Sequence, residues 1–229
     1  MTAPAPSALR TVWTAPALAG PLPPLSQLSP ARIDESWMRL GQSWRSEGPE
    51  TGFQSGWARV SWEATQFCWE AVFLTGRAAN RARRLNERTW ELGDVCEVFV
   101  QEMGADHYFE LHITPENQRL QLRFDAHGIE RLRSGVDPLE SFLLPQADWV
   151  QSSTHLGPGY WSTRVLLPAA RFGPLPLTPA RTFLGTVCRY DCEHPGEPVL
   201  SATAALSEPF YHRRQEWSTI SLSPRPGST

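Results

Sequence analysis

Ionisable and aromatic side chains are concentrated between Thr89 and Phe124, in the segment "TWELGDVCEVFVQEMGADHYFELHITPENQRLQLRF". Within "HYFELHIT", strict alternation places Tyr108, Glu110 and His112 on one side of an extended strand. Glutamate and histidine are the residue types that supply acid–base groups, metal ligands and hydrogen bonds to polar ligands. The spacing therefore predicts one polar face that could bind or react, and an opposite face that enters a core.

Neighbouring segments extend this predicted polar face. The turn residues of "TPENQ" predict an antiparallel hairpin with "RLQLRF", in which Gln121 and Arg123 would share the face of His112. In "CEVFV", Glu97 lies opposite Cys96 and Val98, so a neighbouring strand would add Glu97 to the same face.

Two carboxylates on such a face raise the possibility of glycosidase chemistry. Glu97 and Glu110 could act as acid and nucleophile if their carboxyl groups flanked a cleft at about 5–10 Å. The alternative is a solvated sheet face with Glu–Arg pairs across strands. The sequence contains no nucleophile elbow, phosphate-binding loop or dinucleotide fingerprint. We expect a binding face rather than an enzyme.

A second group of potential ligands lies in "CRYDCEH". Cys188, Cys192 and His194 would share one side of a strand and could bind zinc, but a structural site needs a fourth ligand and usually closer cysteines. Buried, inert cysteines are the commoner outcome. We therefore expect no metal site and no cofactor.

The elements that would position these residues are short strands. Turn residues separate strand-like segments, and few segments have helical character. The strand-like segments are "TQFCWEAVFLTG", "DVCEVFVQEM", "HYFELHIT", "RLQLRFD", "YWSTRVLLP" and "RTFLGTVCRYD". The pattern predicts an all-β, antiparallel, jelly-roll-like β-sandwich with short helical turns, one of them in "PAARFG" before Gly173.

Domain organisation follows from composition. Residues 1–30 are proline-rich and form an N-terminal segment, residues 31–222 form the predicted sandwich domain, and residues 223–229 form a tail. With 229 residues, the chain is long enough to bury a core without disulfides or metal.

Charge and hydropathy exclude several partners. The formal net charge is −3, which argues against binding to a nucleic-acid backbone, and "RARRLNER" is expected to be a solvated surface. All 21 basic residues are arginine, as expected for a GC-rich bacterial genome. There is no convincing signal peptide and no apolar run of about 20 residues, so we expect a cytoplasmic protein that does not bind membranes.

Four segments in order resemble family 9 carbohydrate-binding modules and the related DOMON-like domains. "TWELGDVCEVFV" with "YFELHITPENQ" resembles their W-x-x-D-x-x-E-x-F strand and Y-x-E partner, and "RIDESW" resembles their opening segment. "GYWSTRVLLPAARFG" resembles a strand and turn of the family. "GTVCRYD" with "LSATAALSEPFYHRRQEWSTISL" resembles the closing stretch. The resemblance covers about residues 33–222.

The resemblance implies a β-sandwich that binds a saccharide on a sheet face, with aromatic rings against the sugar and charged groups on its hydroxyls. Trp90 matches the first tryptophan of the family, Glu97 the strand carboxylate and Asp191 the aspartate of the R-x-D strand, while His112 stands near an arginine position. In the sugar-binding members of the family, two tryptophans clamp the sugar ring. This sequence has no clear equivalent of the second one, so Phe210, Tyr211 or His212 must replace it. The predicted ligand-binding set is Trp90, Glu97, Tyr108, Glu110, His112, Arg123, Asp191, Tyr211 and His212.

Three alternatives stay open at this point. DOMON-type domains bind haem, for which His112, His155 or His212 could pair with a methionine. Family 9 modules also bind structural calcium, although this sequence has no Asp-rich loop. The fold could also serve as an interaction module without a small ligand.

Overall fold

The structure is a computed structural model that describes residues 10–193 and 197–224. Its regular elements are mostly strands, as the alternating sequence predicts. The strands are β1 Val12–Pro16, β2 Met38–Arg39, β3 Gly56–Glu63, β4 Gln66–Leu74, β5 Val95–Glu102, β6 His107–Ile113, β7 Arg119–Asp125, β8 Gln151–Gly157, β9 Tyr160–Pro168, β10 Thr182–Asp191, β11 Val199–Ala202 and β12 Ser218–Ser223.

In residues 10–193 and 197–224, helical structure is limited to one short α-helix and several single turns. The α-helix, α1, spans Gly128–Arg133. The 3-10 turns are Leu25–Gln27, Pro30–Arg32, Thr89–Glu91, Leu139–Phe142, Ala169–Phe172 and Arg214–Glu216. Among the described residues, none of these helices is long and apolar enough to cross a lipid bilayer.

The strands form two sheets. The first sheet has the order β1-β12-β10-β5-β6-β7, and β11 pairs with the C-terminal end of β10. The second sheet has the order β2-β3-β4-β9-β8. All pairs of named strands are antiparallel except β1 with β12, which are parallel. The all-β sandwich predicted from the sequence is confirmed.

The main core lies between the two sheets. Val98, Leu111 and Phe183 of the first sheet pack with Phe67 and Trp69 of the second, and all five are buried. Because side chains alternate along a strand, this packing directs Glu97, Glu110 and His112 to the outer face of the first sheet.

That outer face is covered by a third layer rather than by water. The helix α1, the turn Leu139–Phe142 and residues 203–217, which we call the closing loop, pack over it. This layer forms a second core with members such as Phe99, Phe124 and Trp217. The sheet is therefore apolar on both faces, with a polar patch within the outer one.

The six segments predicted as strands correspond to β4, β5, β6, β7, β9 and β10. The turn Ala169–Phe172 ends at Gly173, as "PAARFG" predicts. Within the proline-rich segment 1–30, β1 forms an edge strand of the first sheet. The helix α1 was not predicted from the sequence.

Candidate functional site

Adjacent strands bring three buried ionisable residues together on the outer face of the first sheet. Glu97 of β5 is the register partner of His112 of β6, and Glu110 is two residues from His112 on the same face. Their exposed fractions are 3% for Glu97, 5% for Glu110 and 2% for His112. The predicted grouping of Glu97, Glu110 and His112 is therefore present.

The His112 imidazole links this cluster. Its Nε2 lies 2.6 Å from Glu110 Oε1 and 3.6 Å from Glu97 Oε1. Its Nδ1 lies 2.9 Å from the Thr89 hydroxyl. Both ring nitrogens therefore have fixed partners, which sets the orientation of the imidazole.

Burial and mutual charge shift the pKa values of the cluster. Burial, opposed by the His112 charge and reinforced by that of Glu110, raises the pKa of Glu97 to about 7. Burial would lower the pKa of His112, but Glu97 and Glu110 outweigh it and the pKa is raised. Burial likewise opposes ionisation of Glu110, yet His212 and His112 outweigh it and lower its pKa. The charged pair His112–Glu110 is the favoured state, with Glu97 near its titration point at neutral pH.

Trp90 is placed beside the cluster by the turn Thr89–Glu91. The buried Asn80 amide donates 2.8 Å and 3.1 Å hydrogen bonds to the carbonyls of Thr89 and Asp94, which fixes this turn before β5. The Trp90 ring meets the His112 ring edge to face, with 5.6 Å between centroids.

Gly93, between this turn and β5, lies against the backbone of Ala79 and Asn80. Its φ is +143°, and a Cβ atom there would lie 2.2 Å from the Ala79 carbonyl oxygen. A side chain at this position would displace the turn that carries Trp90.

The closing loop supplies the opposite wall. Tyr108 and His212 form a 2.7 Å hydrogen bond between the phenol and Nδ1, and His212 Nδ1 lies 3.7 Å from Glu110 Oε2. The pKa of His212 is lowered, chiefly by burial. The Tyr211 hydroxyl donates a 2.7 Å hydrogen bond to the Arg189 carbonyl, which attaches the loop to β10.

These elements enclose a cavity of about 400 Å³ above the cluster. This volume is within the usual range for a small-molecule site. One part of the wall is ionisable and aromatic, and the other part is aliphatic. The lining residues are Trp90, Glu97, Glu110, His112, Leu122, Phe124, Ile129, Leu132, Arg133, Leu139, Tyr190, Leu200, Pro209, Phe210, Tyr211 and His212.

Three predicted site residues do not line this cavity. Arg123 pairs with Phe109 in the β6–β7 register, so it lies on the opposite face of the sheet. Asp191 shares the inner face with Arg189 and forms a 2.9 Å ion pair with it. Tyr108 lies on the predicted face but is 1% exposed, and it supports His212 without lining the cavity.

The structure adds lining residues that sequence reasoning missed. Tyr190, and not the predicted Asp191, lines the cavity, because alternation along β10 places these two residues on opposite faces of the sheet. Leu122 and Phe124 occupy the face assigned to Gln121 and Arg123. The residues of α1 carried no alternation signal that could have placed them.

The described residues include only some of the groups considered for haem and zinc. Met38 packs against the core between the sheets and Met103 is 49% exposed, so neither lines the cavity that holds His112 and His212. Cys188 is buried, Cys192 is partly exposed, and His194 lies outside the described residues.

No protein-family model matches the sequence, and no curated protein is significantly similar to it. Solved structures do match. A candidate carbohydrate-binding protein from Bacteroides uniformis ATCC 8492 aligns with a TM-score of 0.71 at 14% identity, over 93% of this chain and 99% of that one.

Two structures of family 9 carbohydrate-binding modules from Caldicellulosiruptor kristjanssonii also align. The one in complex with cellotriose has a TM-score of 0.63 at 9% identity, over 96% of this chain and 97% of that one. The one in complex with glucose has a TM-score of 0.59 at 9% identity, over 94% and 97%. The chain therefore has the β-sandwich fold of family 9 carbohydrate-binding modules, as the sequence resemblance implied.

Proposed function

We propose that this protein is a non-catalytic binding module that takes a saccharide into the cavity between the first sheet and its covering layer. The observation that carries the proposal is the combination of aromatic rings and a buried carboxylate around one cavity of about 400 Å³. Saccharides have apolar C–H faces and hydroxyl edges, and both surfaces need a matching wall.

The aromatic rings match the faces of a sugar. Trp90, Tyr190 and Phe210 all line the cavity and are all partly exposed to it. Trp90 belongs to the segment that resembles the sugar-binding strand of the family, and Phe210 is one of the replacements expected for the missing second tryptophan. A pyranose between such rings would bury its C–H groups against them.

The ionisable groups match the hydroxyl edge. Within residues 10–193 and 197–224, no donor lies within hydrogen-bonding distance of the Glu97 carboxylate, and His112 Nε2 lies 3.6 Å from its Oε1. A buried carboxylate without donors is costly, and a ligand hydroxyl would satisfy it with a charge-assisted bond. A ligand hydroxyl would therefore supply the donor that Glu97 lacks.

The arrangement of the carboxylates favours binding over catalysis. Glu97 and Glu110 both approach His112 Nε2, and their ligand atoms lie within 4.8 Å of one another. Glycosidase carboxyls instead flank the scissile bond with the substrate between them, whereas these two approach the same ring nitrogen. The proposed module therefore holds a sugar without cleaving it.

Glucose and short cello-oligosaccharides are the first ligands to test, because the similar modules of Caldicellulosiruptor kristjanssonii hold glucose and cellotriose. Titration calorimetry with these and with a panel of other monosaccharides and oligosaccharides measures binding directly. We expect one site with a dissociation constant in the micromolar to millimolar range. A complete absence of heat at millimolar saccharide contradicts the proposal and favours an interaction module without a sugar ligand.

A matched pair of variants locates the site. Trp90→Ala removes a ring from the cavity and should weaken binding by at least about tenfold, which corresponds to ~1.4 kcal/mol. Trp57→Ala removes a partly buried tryptophan that packs on the outer face of the second sheet, and it should leave the affinity unchanged. Equal effects of both variants would place the ligand elsewhere.

A screen with chromogenic glycosides tests the non-catalytic part of the proposal. We expect no turnover. Turnover that disappears in Glu97→Gln and Glu110→Gln, while the folded structure is kept, would make the protein a glycosidase.

A further inference from the structure

The cluster at the bottom of the cavity contains more hydrogen-bond acceptors than donors. Glu97 and Glu110 contribute four carboxylate oxygens, and the one direct hydrogen bond from the described residues joins His112 Nε2 to Glu110 Oε1. Glu110 Oε2 is fully buried without a hydrogen-bond partner. Oxygen atoms in this state call for a cation or for several donors.

We propose that Glu97, Glu110 and His112 together bind one divalent transition-metal ion at the bottom of the cavity. This inference departs from the sequence expectation of no metal, because sequence spacing did not show that strands β5 and β6 would bring two carboxylates to one imidazole. It does not depend on saccharide binding.

The geometry is close to that of a coordinated ion. One ligand atom from each of the three residues lies within 4.8 Å of the other two. Ligands at about 2.0–2.2 Å from a common ion are separated by roughly 3–3.5 Å. The distances of Nε2 to the two carboxylates are 2.6 Å and 3.6 Å, so side-chain shifts of roughly 1–1.5 Å would bring all three ligand atoms to these separations.

The surroundings of His112 are those of a metal-binding histidine. Its Nδ1 lies 2.9 Å from the Thr89 hydroxyl, which can accept the Nδ1–H and leave the Nε2 lone pair for the ion. A hydrogen bond to the second ring nitrogen is a regular feature of histidine ligands. Thr89 is itself fixed, because Asn80 holds its carbonyl.

The donor set selects the class of ion. One imidazole and two carboxylates suit Zn²⁺, Mn²⁺ or Co²⁺, whereas Ca²⁺ and Mg²⁺ prefer sites made of oxygen alone. Three protein ligands leave further coordination positions, and these face the cavity that Glu97, Glu110 and His112 line. The site is therefore of the open kind.

The test uses the full chain, treated with a chelator and then titrated with Zn²⁺ alone, by calorimetry and by thermal unfolding. A Cys192→Ser background removes the partly exposed thiol as a competing ligand. We expect binding of one ion per chain and a rise in the unfolding midpoint of about 5 °C or more when Zn²⁺ exceeds its dissociation constant a hundredfold. Ca²⁺ should produce neither effect.

Matched variants assign the ligands. Glu97→Gln and His112→Gln should each weaken Zn²⁺ binding by at least about a hundredfold. Glu140→Gln changes an exposed glutamate of the covering layer, and His155→Gln changes a histidine of the second sheet; both should bind Zn²⁺ like the unaltered protein.

A spectroscopic measurement on the unaltered ligand set decides the question even if a ligand variant does not fold. With Co²⁺ in place of Zn²⁺, the proton NMR spectrum should contain a strongly shifted imidazole N–H from a coordinated ring, the His112 Nδ1–H that Thr89 protects. Absence of stoichiometric binding, absence of a shifted His112 Nδ1–H signal, or full binding by folded Glu97→Gln and His112→Gln would each overturn the proposal. In the last case the metal is an adventitious ion only. A protein that binds saccharide but no metal overturns this inference alone.

Discussion

The Tyr108 hydroxyl lies 2.7 Å from His212 Nδ1, and this contact joins strand β6 to the closing loop, 104 residues later in the chain. The phenol is 1% exposed and packs against the Phe124 ring with 5.3 Å between centroids. The hydrogen bond therefore holds one wall of the cavity to the sheet that forms its bottom.

Removal of this hydroxyl tests whether the closing loop depends on it. Tyr108→Phe keeps the ring packing but leaves His212 Nδ1 without its partner, so we expect a loss of about 1 kcal/mol in the free energy of unfolding. Chemical denaturation measures the loss, and the NMR signals of His212 should move. Tyr160→Phe, in β9 of the second sheet, is the control and should leave those signals in place.

The sequence predicted the polar patch correctly where alternation is unambiguous. In β6, polar and apolar residues alternate, so Glu110 and His112 were assigned to the same face, and Glu97 followed from the same argument in β5. The register that pairs Glu97 with His112 could not be read from the sequence, because it depends on how the strands associate.

The prediction for β7 was wrong for a physical reason. We assumed that the polar residues Gln121 and Arg123 share the face of Glu110, but the register pairs Glu110 with Leu122. The outer face is covered by α1 and the closing loop, so Leu122 is buried there. Gln121 points the other way and donates to the carbonyls of Leu144 and Gln146. Alternation cannot distinguish two faces that are both covered.

The position of Trp90 depends on Gly93, and this can be tested. Gly93→Ala should destabilise the fold by about 2 kcal/mol or more, because its Cβ would meet the Ala79 carbonyl oxygen at 2.2 Å in addition to an unfavourable φ. Gly104→Ala is the matched control, since Gly104 also has a positive φ of +89° but no atom within 4 Å of a Cβ. Thermal unfolding of both variants isolates the cost of the clash.

The same pair separates stability from binding. If Gly93 positions Trp90, folded Gly93→Ala should bind saccharide more weakly than folded Gly104→Ala. Equal affinities would show that the turn Thr89–Glu91 does not set the position of the ring.

Glu216 links the two ends of the closing loop, and its contribution to the free energy of unfolding should depend on pH. Its carboxylate accepts hydrogen bonds from the Ser207 backbone at 2.7 Å, the Ser207 hydroxyl at 2.9 Å and Arg213 at 2.7 Å. The Arg213 hydrogen bond and those from Ser207 outweigh burial and lower the pKa of Glu216 to about 2. A carboxyl whose pKa is lowered on folding contributes stability above its unfolded pKa, and this is lost as pH falls toward the folded pKa.

Comparison with Glu216→Gln measures this contribution. Above about pH 5 the variant should be less stable than the unaltered protein by roughly 1–2 kcal/mol, and the difference should shrink between about pH 4.5 and pH 3. Glu208→Gln, an exposed carboxylate of the same loop, should show a much smaller difference. A difference for Glu216→Gln that does not change with pH would mean that the amide, and not the lost charge, causes it.

A row of three charged residues lies on the outer face of the second sheet and consists of Arg59, Glu70 and Arg164. Disruption of this row should lower stability without changing saccharide binding. Glu70 accepts hydrogen bonds from Arg59 at 2.7 Å and from Arg164 at 2.8 and 2.6 Å, and it is 2% exposed. Glu70→Ala leaves Arg164, itself 8% exposed, without its counter-charge, so we expect a loss of about 3 kcal/mol in the free energy of unfolding. Because the sandwich core separates this row from the first sheet, the saccharide affinity of the folded fraction should be unchanged. Calorimetry and denaturation on the same sample check both statements, and a parallel loss of affinity would show that the two sheets do not act independently.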